Sequence, residues 1–434
     1  MQLPEDFIRE TQQLMGDDRF NSYLKAFNEE APVSIRLNPK LSTGVRPQDK
    51  VLWCEEGYYL SDRPQFTFDP LFHAGCYYVQ EAASMFVCHI LRQLDDKPVA
   101  VLDMCAAPGG KSTALRSVLP EDSLLVSNEP IPARAQILLE NITKWGAGNC
   151  IVTNNYPRDF RKAKTKFDLI LCDVPCSGEG MFRKDPATIS EWSLQNVGKC
   201  WRLQREIVAD AWECLQPGGI LIYSTCTFNT KENEENVRWI IDTYDAEPID
   251  IPIDPSWHIT GSLLEGFDAP VYRFIPGITR SEGLFVCALR KRGERETVES
   301  GEWTVESGQW TVDSGQWTVD SYDYTVSKNN PQQSNHNSSL LTLNSKLKVL
   351  SPDLPQGDFP LVALSYSDAL RYLRGEALVL PVETPRGIVT VTYEGFPLGP
   401  VKNIGNRANN LYPKPWRIKT THLPSAPVVI IYKL

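Results

Sequence analysis

Residues 101–115 read VLDMCAAPGGKSTAL. An apolar strand pattern ends at Cys105, a turn of small residues follows (Ala106, Ala107, Pro108, Gly109, Gly110), and Lys111-Ser112-Thr113 opens a helix. Small side chains at a strand-to-helix turn let a ligand approach the backbone, and the helix start supplies N–H donors. A Walker A loop would need its first glycine where Cys105 stands, and the spacing is not GxGxxG either. By itself the turn is compatible with a purely structural βα connection. The next strand tips the reading. Glu129 closes SLLVSNE 19 residues beyond Gly110, near the roughly 20-residue spacing of a ribose-binding acid. A nucleoside-containing cofactor is expected here.

Outward from this motif, residues 76–293 alternate apolar runs with helical patterns. The strand candidates are 99–105, 123–129, 167–174, 219–226 and 283–289, the rhythm of a doubly wound α/β domain. Residues 1–75 read as a separate α+β domain. It begins with a helix from Phe7 to Phe27 whose Phe7, Ile8, Leu14, Phe20, Tyr23, Leu24 and Phe27 share a face. Residues 341–434 recover a globular pattern: a helix in SYSDALRYLRG and strands in ALVLPV, GIVTVTYEG and APVVIIYKL, a small α+β or barrel-like appendage. Between them, TVESGEW, TVESGQW and TVDSGQW place Trp303, Trp310 and Trp317 seven residues apart, with Tyr324 next. Gly and β-branched Thr-Val in every unit oppose a coiled coil, and one aromatic per unit cannot close a core. Residues 294–340 therefore read as an acidic, disordered linker.

Composition narrows the function. Eleven cysteines include no CxxC pair and five histidines form no HExxH, so neither a metal site nor a disulfide framework is expected. No run is long and apolar enough to span a bilayer, and the charged start MQLPEDFIRE is unlike a signal peptide. A soluble, cytoplasmic chain without a membrane partner follows. The net charge of −10 argues weakly against nucleic acid, because eight acids lie within 293–327 against Arg295 alone. By contrast, 401–420 hold Lys402, Arg407, Lys414, Arg417 and Lys419 and no acid, interleaved with Tyr412 and Trp416. That pattern suits phosphate contacts and base stacking, or else a solvated surface with Trp416 in the appendage's core.

Two cysteines stand out. The third strand runs into Asp173-Val174-Pro175-Cys176-Ser177-Gly178-Glu179-Gly180, and the fourth into Ser224-Thr225-Cys226-Thr227. Strand carboxyl ends in a parallel sheet line the ligand crevice, so both thiols fall beside the cofactor turn. Cys88, Cys172 and Cys214 read instead as small core hydrophobes.

Taken together, YYVQEAASM (77–85), DMCAAPGGKST (103–113), SNEPIPARAQILLENITKWG (127–146), DVPCSGEGMFRKDP (173–186), LQPGGILIYSTCTFNTKENE (215–234) and RFIPGITRSEGLF (273–285) resemble the Sun-type RNA (cytosine-5)-methyltransferases, especially the bacterial RsmB/RsmF branch. The likeness runs through 1–293 and resumes in GFPLGPVKNIGNRANNLYPKPWRIK, which looks like the PUA-like RNA-binding appendage of the RsmF type. The resemblance implies a Rossmann-like methyltransferase core that uses S-adenosyl-L-methionine. It places Cys105, Ala106, Ala107, Pro108, Gly109, Gly110, Lys111 and Glu129 on the cofactor, with Glu129 at the ribose. Asp173 would lie between cofactor and base, Cys226 would be the nucleophile, and Cys176 would assist product release. Where the family carries an adenine-side acid, NNYPRDF puts Tyr156, leaving Asn155 or Asp159 to substitute.

Carbon 5 of cytosine is a poor nucleophile until a thiolate adds to carbon 6, so this chemistry requires an activated cysteine. Catalysis by Cys176 instead of Cys226 stays open on the residues alone. An exocyclic-amine methyltransferase would offer Asn/Asp-Pro-Pro-aromatic where this chain has DVPC. A non-catalytic assembly factor would have no need of Lys111, Cys176 and Cys226 together. The expected substrate is small-subunit ribosomal RNA, free or in the 30S subunit, with transfer RNA as the alternative, and the expected state is a monomer.

Overall fold

The computed structural model describes residues 3–41, 48–94, 100–146, 148–293, 302–306, 324–329, 341–343, 347–355, 357–420, 422–424 and 427–428. The chain divides into two compact units, one of residues 1–32, 81–138 and 148–350, the other of residues 33–80, 139–147 and 351–434.

The first unit is built on one mixed sheet. Its strands are β1 (Ala100–Asp103), β2 (Leu124–Asn128), β3 (Cys150–Thr153), β4 (Phe167–Asp173), β5 (Leu215–Thr225), β6 (Glu247–Ile249), β7 (Tyr272–Phe274), β8 (Leu284–Arg290) and β9 (Val349–Leu350). The order is β7-β8-β5-β4-β1-β2-β3-β9, with β6 also on β8. β3-β2-β1-β4-β5 are parallel; β6, β7, β8 and β9 join antiparallel. Chain order reverses between β1 and β4, and crossovers leaving both sides of that point open a crevice above the carboxyl ends of the strands.

The parallel strands are buried, as their near-continuous apolar runs require. Leu102, Val126, Ile170, Cys172, Leu221 and Tyr223 pack with Ile207, Val208, Ala211, Trp212 and Cys214 of α6 (Leu194–Cys214) and Val237 and Ile240 of α7 (Glu234–Tyr244). Further helices are α2 (Phe86–Gln93), α3 (Gly110–Val118), α4 (Pro132–Trp145), of which residues 132–138 belong to this unit, and α5 (Pro157–Ala163). All five sequence-read strands are present. β3 escaped because CIVT is too short to register a period, and β6, β7 and β9 are edge strands of two or three residues.

Residues 1–75, read as one domain, fall partly in each unit. The opening helix, α1 (Glu5–Ala26), belongs to the first: Phe7, Met15, Phe20 and Tyr23 pack with Phe182, Trp192, Val197, Phe228 and Ile275. Gly16 interrupts it at φ +74°, a conformation side-chain-bearing residues avoid, and this break turns Met15 inward while Leu14 stays half-buried. In the second unit, a three-stranded antiparallel sheet (57–60, 33–37, 77–79) and a four-stranded sheet (361–363, 387–393, 396–403, 408–410) contribute to one core with the helix Tyr366–Leu373. The strand expected in ALVLPV reduces to a single bridge from Leu378 to Ala408, and APVVIIYKL lies mostly outside the described residues.

Within 294–340, the segments Glu302–Glu306 and Tyr324–Asn329 are strands and pair antiparallel, the second continuing to Leu341–Leu343. The linker reading underrated their Thr and Val, which favour extended chain; the remainder of that stretch, including Trp310 and Trp317, lies outside the described residues.

An ion pair with no exposure on either side joins β7 to α7: Arg273 forms a two-point contact with Glu234, its Nε donating at 2.9 Å. Arg273 Nη1 also donates to the Phe228 carbonyl at 2.7 Å, fixing the loop just beyond Cys226. Glu234→Gln should cost about 3–5 kcal/mol in denaturant unfolding of the full chain, because it leaves a buried guanidinium uncompensated.

Candidate active site

Four strand ends converge at the crevice. After β1, the Ala106 N–H donates to the Asn128 carbonyl at 2.8 Å, and the Gly109 N–H closes the turn on the Ala106 carbonyl at 2.7 Å. Gly109 stands at φ +113°, so the turn needs glycine here before α3 begins at Gly110. Arg134 donates to the Ala107 carbonyl at 2.9 Å and pairs with Glu129 Oε2 at 3.5 Å. Glu129 is buried at the end of β2, where its Oε1 accepts from the Ile131 N–H at 2.9 Å. The turn, Gly109, Gly110 and Glu129 are thus brought to one place.

β1 ends in Asp103, which is wholly buried; Oδ2 accepts from Ser112 Oγ at 2.6 Å, and Oδ1 has no hydrogen-bond partner among the described residues. Burial pushes this carboxyl up to about 7, against the Ser112 hydrogen bond. At the end of β4, Lys111 Nζ donates to Asp173 Oδ2 at 2.8 Å, and Ser224 Oγ donates to Asp173 Oδ1 at 2.7 Å. Burial opposes the Lys111 charge, but Asp173 outweighs it and holds the ammonium above its ordinary value. Asp173 is therefore clamped from both sides, with about a third of its side chain open to the crevice.

Beyond Asp173 and beyond β5, the two thiols meet: Cys176 Sγ and Cys226 Sγ are 3.2 Å apart. The hydrogen bond with Cys226, and then burial, push the Cys176 thiol well up. Cys105 is half-buried, and burial keeps its thiol neutral as well. Cys88, Cys172 and Cys214 are buried, as the core reading holds.

The adenine-side expectation fares differently. Asn155 spends its amide on Lys348, donating to its carbonyl at 3.1 Å and accepting from its N–H at 2.9 Å. Asp159 caps α5 by accepting from the Tyr156 N–H at 3.0 Å, and the Tyr156 ring is half exposed under Arg158. In the tail, Lys402, Arg407, Lys414 and Lys419 are exposed, but Tyr412 is buried and Trp416 packs against the same core. Burial of Tyr412 and packing of half-buried Trp416 match the core-packing alternative for these rings.

Sequence reasoning passed over Ser224, Asp103 and Arg134. Ser224 meets Asp173 51 residues away in the chain, while Asp103 and Arg134 meet Ser112 and Glu129 nearby through pairings that no motif spacing announces.

The residues at the crevice fit a nucleoside cofactor: a turn with Gly109 at positive φ, a buried acid at the next strand end, and a buried Asp103 oxygen that has no hydrogen-bond partner among the described residues. Among the described residues, no cluster of His, Cys, Asp and Glu could hold a metal ion, and no helix is long and apolar enough to cross a membrane.

Comparison with known proteins agrees with this geometry. Residues 89–290 match the model of the 16S rRNA methyltransferase RsmB/F family; residues 3–82 match the N-terminal domain of 16S rRNA methyltransferase RsmF, and residues 359–418 the methyltransferase RsmF PUA domain. The chain belongs to the RsmB/F family. Among its relatives, ribosomal RNA small subunit methyltransferase F of Pectobacterium atrosepticum is 34% identical over 67% of this chain and 63% of that protein. The chain thus spans less than two thirds of that relative. The protein of the same name from an Enterobacter species is 28% identical over 95% of both chains. A solved methyltransferase homolog from Pyrococcus horikoshii superposes with a TM-score of 0.54, at 27% identity, over 67% of this chain and all of that one. The fold is the Rossmann-like methyltransferase core of this family with an N-terminal and a PUA domain.

The Asp103 carboxyl gives a pH test. Its folded value is raised, so the neutral acid favours the fold below the ordinary carboxyl range, and that contribution is lost as pH climbs to about 7. Asp103→Asn should melt like the wild type at pH 5 and a few degrees higher at pH 8; identical differences at both values would show that burial does not raise this group.

Proposed function

We propose that this chain transfers a methyl group from S-adenosyl-L-methionine to carbon 5 of a cytosine in small-subunit ribosomal RNA, through a covalent adduct on Cys226. The observation that carries the reading is the pair of thiols 3.2 Å apart beside the Lys111–Asp173 pair, in a member of a 16S rRNA methyltransferase family.

The 105–111 turn and Glu129 hold the cofactor, which when bound supplies an electrophilic methyl group. Cys226 adds as thiolate to carbon 6, which makes carbon 5 electron-rich enough to be alkylated. Asp173, fixed by Lys111 and Ser224, hydrogen-bonds the N3/N4 edge of the base and so supports charge on the ring. Once carbon 5 carries the methyl, a base takes the carbon-5 proton, the electron pair restores the ring double bond, and the Cys226 sulfur leaves as thiolate. Cys176, kept neutral, donates its S–H toward that thiolate and eases its departure. The target base must first leave its stack, at a cost of a few kcal/mol in a duplex and less in a loop.

The substrate is small-subunit rRNA, as free RNA or in the 30S subunit, and the enzyme acts as a cytoplasmic monomer. In this reading residues 76–293 are the catalytic part of the chain, and 1–75 and the PUA domain contribute to RNA binding. Lys402, Arg407, Lys414 and Lys419 supply RNA affinity through phosphate contacts. Replacing three of them by Ser should weaken binding of 16S rRNA and flatten its salt dependence; unchanged slopes would remove the tail from the interface.

The two cysteines should fail differently. Cys226→Ala builds no adduct and should be inactive in methyl transfer to 16S rRNA while still binding cofactor. Cys176→Ala should add and methylate, then stall, leaving a nuclease-sensitive, slower-migrating protein band on a denaturing gel. A trapped band with Cys226→Ala and none with Cys176→Ala would reverse the roles. No adduct from any variant and no methyl transfer by the wild type would leave a non-catalytic RNA-binding factor.

A further inference from the structure

The loops that carry the two thiols are tied together crosswise. Glu179 lies in the Cys176 loop, yet its Oε2 accepts from the backbone N–H groups of Phe228 and Asn229, just beyond Cys226, at 2.6 and 3.1 Å. Glu232 lies beyond Cys226, yet its Oε2 accepts from the N–H of Ser177, the residue after Cys176, at 3.0 Å. The Asn229 side-chain amide donates to both acids, at 2.9 Å each, and Ser177 and Thr227 share a hydroxyl contact of 2.9 Å. The Gly180 N–H donates to the Cys226 carbonyl at 2.7 Å, and a Cβ at Gly180 would lie 2.8 Å from that oxygen. Trp192 Nε1 and Gln204 Nε2 fill further acceptor positions on Glu179 and Glu232, at 3.0 and 2.7 Å.

We infer that Glu179 and Glu232, bridged by Asn229, are positioning residues that set the spacing between Cys176 and Cys226. Each carboxylate reaches from one thiol's loop to backbone donors in the other's, so the loops move as one piece. Both acids are buried, and their hydrogen bonds go to the loops, not to the sulfurs. A glutamine at 179 would not serve: donors face both carboxyl oxygens, and an amide offers a hydrogen where two of them already point. The importance of the spacing for methyl transfer rests on the function proposed above; the spacing itself does not.

The test therefore uses chemistry that needs neither RNA nor cofactor. Glutathione disulfide is added to the reduced full-length chain. One cysteine thiolate displaces glutathione to form a mixed disulfide, and the second displaces the other glutathione. Two protein thiols are thereby oxidised to the Cys176–Cys226 bond, and one glutathione disulfide is reduced to two thiols. Peptide mass spectrometry reads the rate. Glu179→Ala should slow closure of this bond about tenfold or more, since intramolecular rates fall steeply when reacting atoms are displaced. Asn229→Ala, which removes only the bridging amide, should slow it less and answers the question if Glu179→Ala does not fold. Phe160→Leu, in the core away from both loops, should lower the melting temperature and leave the rate unchanged.

In methyl transfer to 16S rRNA, Glu179→Ala should lower kcat and leave KM for RNA unmoved. Closure in Glu179→Ala and Asn229→Ala at or above the wild-type rate would overturn the clamp, as would a wild-type chain that never forms the bond. Slowed closure in a protein whose wild type transfers no methyl group would keep the clamp and sink the function.

Discussion

The reversal of strand order between β1 and β4 is the constraint on which the site depends. Parallel strands need crossovers that return to the opposite end of the sheet, and on either side of a reversal those crossovers lead away from each other. The carboxyl ends of β1, β2, β4 and β5 are then free to carry short functional loops. The glycine turn follows β1, Glu129 closes β2, Asp173 closes β4 and Cys226 follows β5. No two of these come from the same strand, so their mutual distances are set by sheet spacing and register, the stiffest geometry a fold offers. The Lys111–Asp173 contact is a direct product, since it joins the first turn of α3 to the end of the strand paired with β1.

Much of this was legible in the sequence because it is local. The five principal strands are apolar runs bounded by turn residues, and the cofactor turn is a continuous stretch of small residues. Glu129 follows at a spacing that one βα unit dictates. What was not legible is what depends on partners far apart in the chain. Gly16 splits a helix that looks uninterrupted, and nothing near it in sequence says that Met15 and not Leu14 will face Phe182 and Phe228. Tyr412 and Trp416 stand among basic residues and invite an RNA reading, yet they complete a core with Tyr372 and Leu373. Asn155 meets Lys348, nearly two hundred residues away, with both ends of its amide, a contact no local spacing announces.

The two thiols show how such distant contacts create chemical asymmetry. Cys176 and Cys226 are the same residue type at the same kind of position, yet their surroundings differ. Cys176 follows Pro175 in a loop pinned by Gln204, which donates to the Pro175 carbonyl at 2.9 Å, and its proton is held by burial and by its neighbour. Cys226 Sγ is that neighbour, at 3.2 Å, and either sulfur can be the donor in that contact. In the proposed reaction that contact serves whether the Cys226 sulfur is attacking or leaving.

Burying acids to hold these loops carries a cost that the fold accepts. Burial, and then the nearby Glu179, raise the Glu232 carboxyl to about 7, although its three hydrogen bonds pull the other way. A cheaper device would be neutral, but serine, asparagine and glutamine bring hydrogens of their own, whereas an ionised carboxylate only accepts and offers about four lone-pair sites. The loops after Cys176 and Cys226 leave backbone N–H groups pointing inward at Ser177, Phe228 and Asn229, where no strand remains to receive them. An acceptor-only group is what such donors require, and an unpaired buried N–H would cost roughly 1–3 kcal/mol each. The acids thus follow from the loops, and the loops from the need to bring two sulfurs off adjacent strands to within contact.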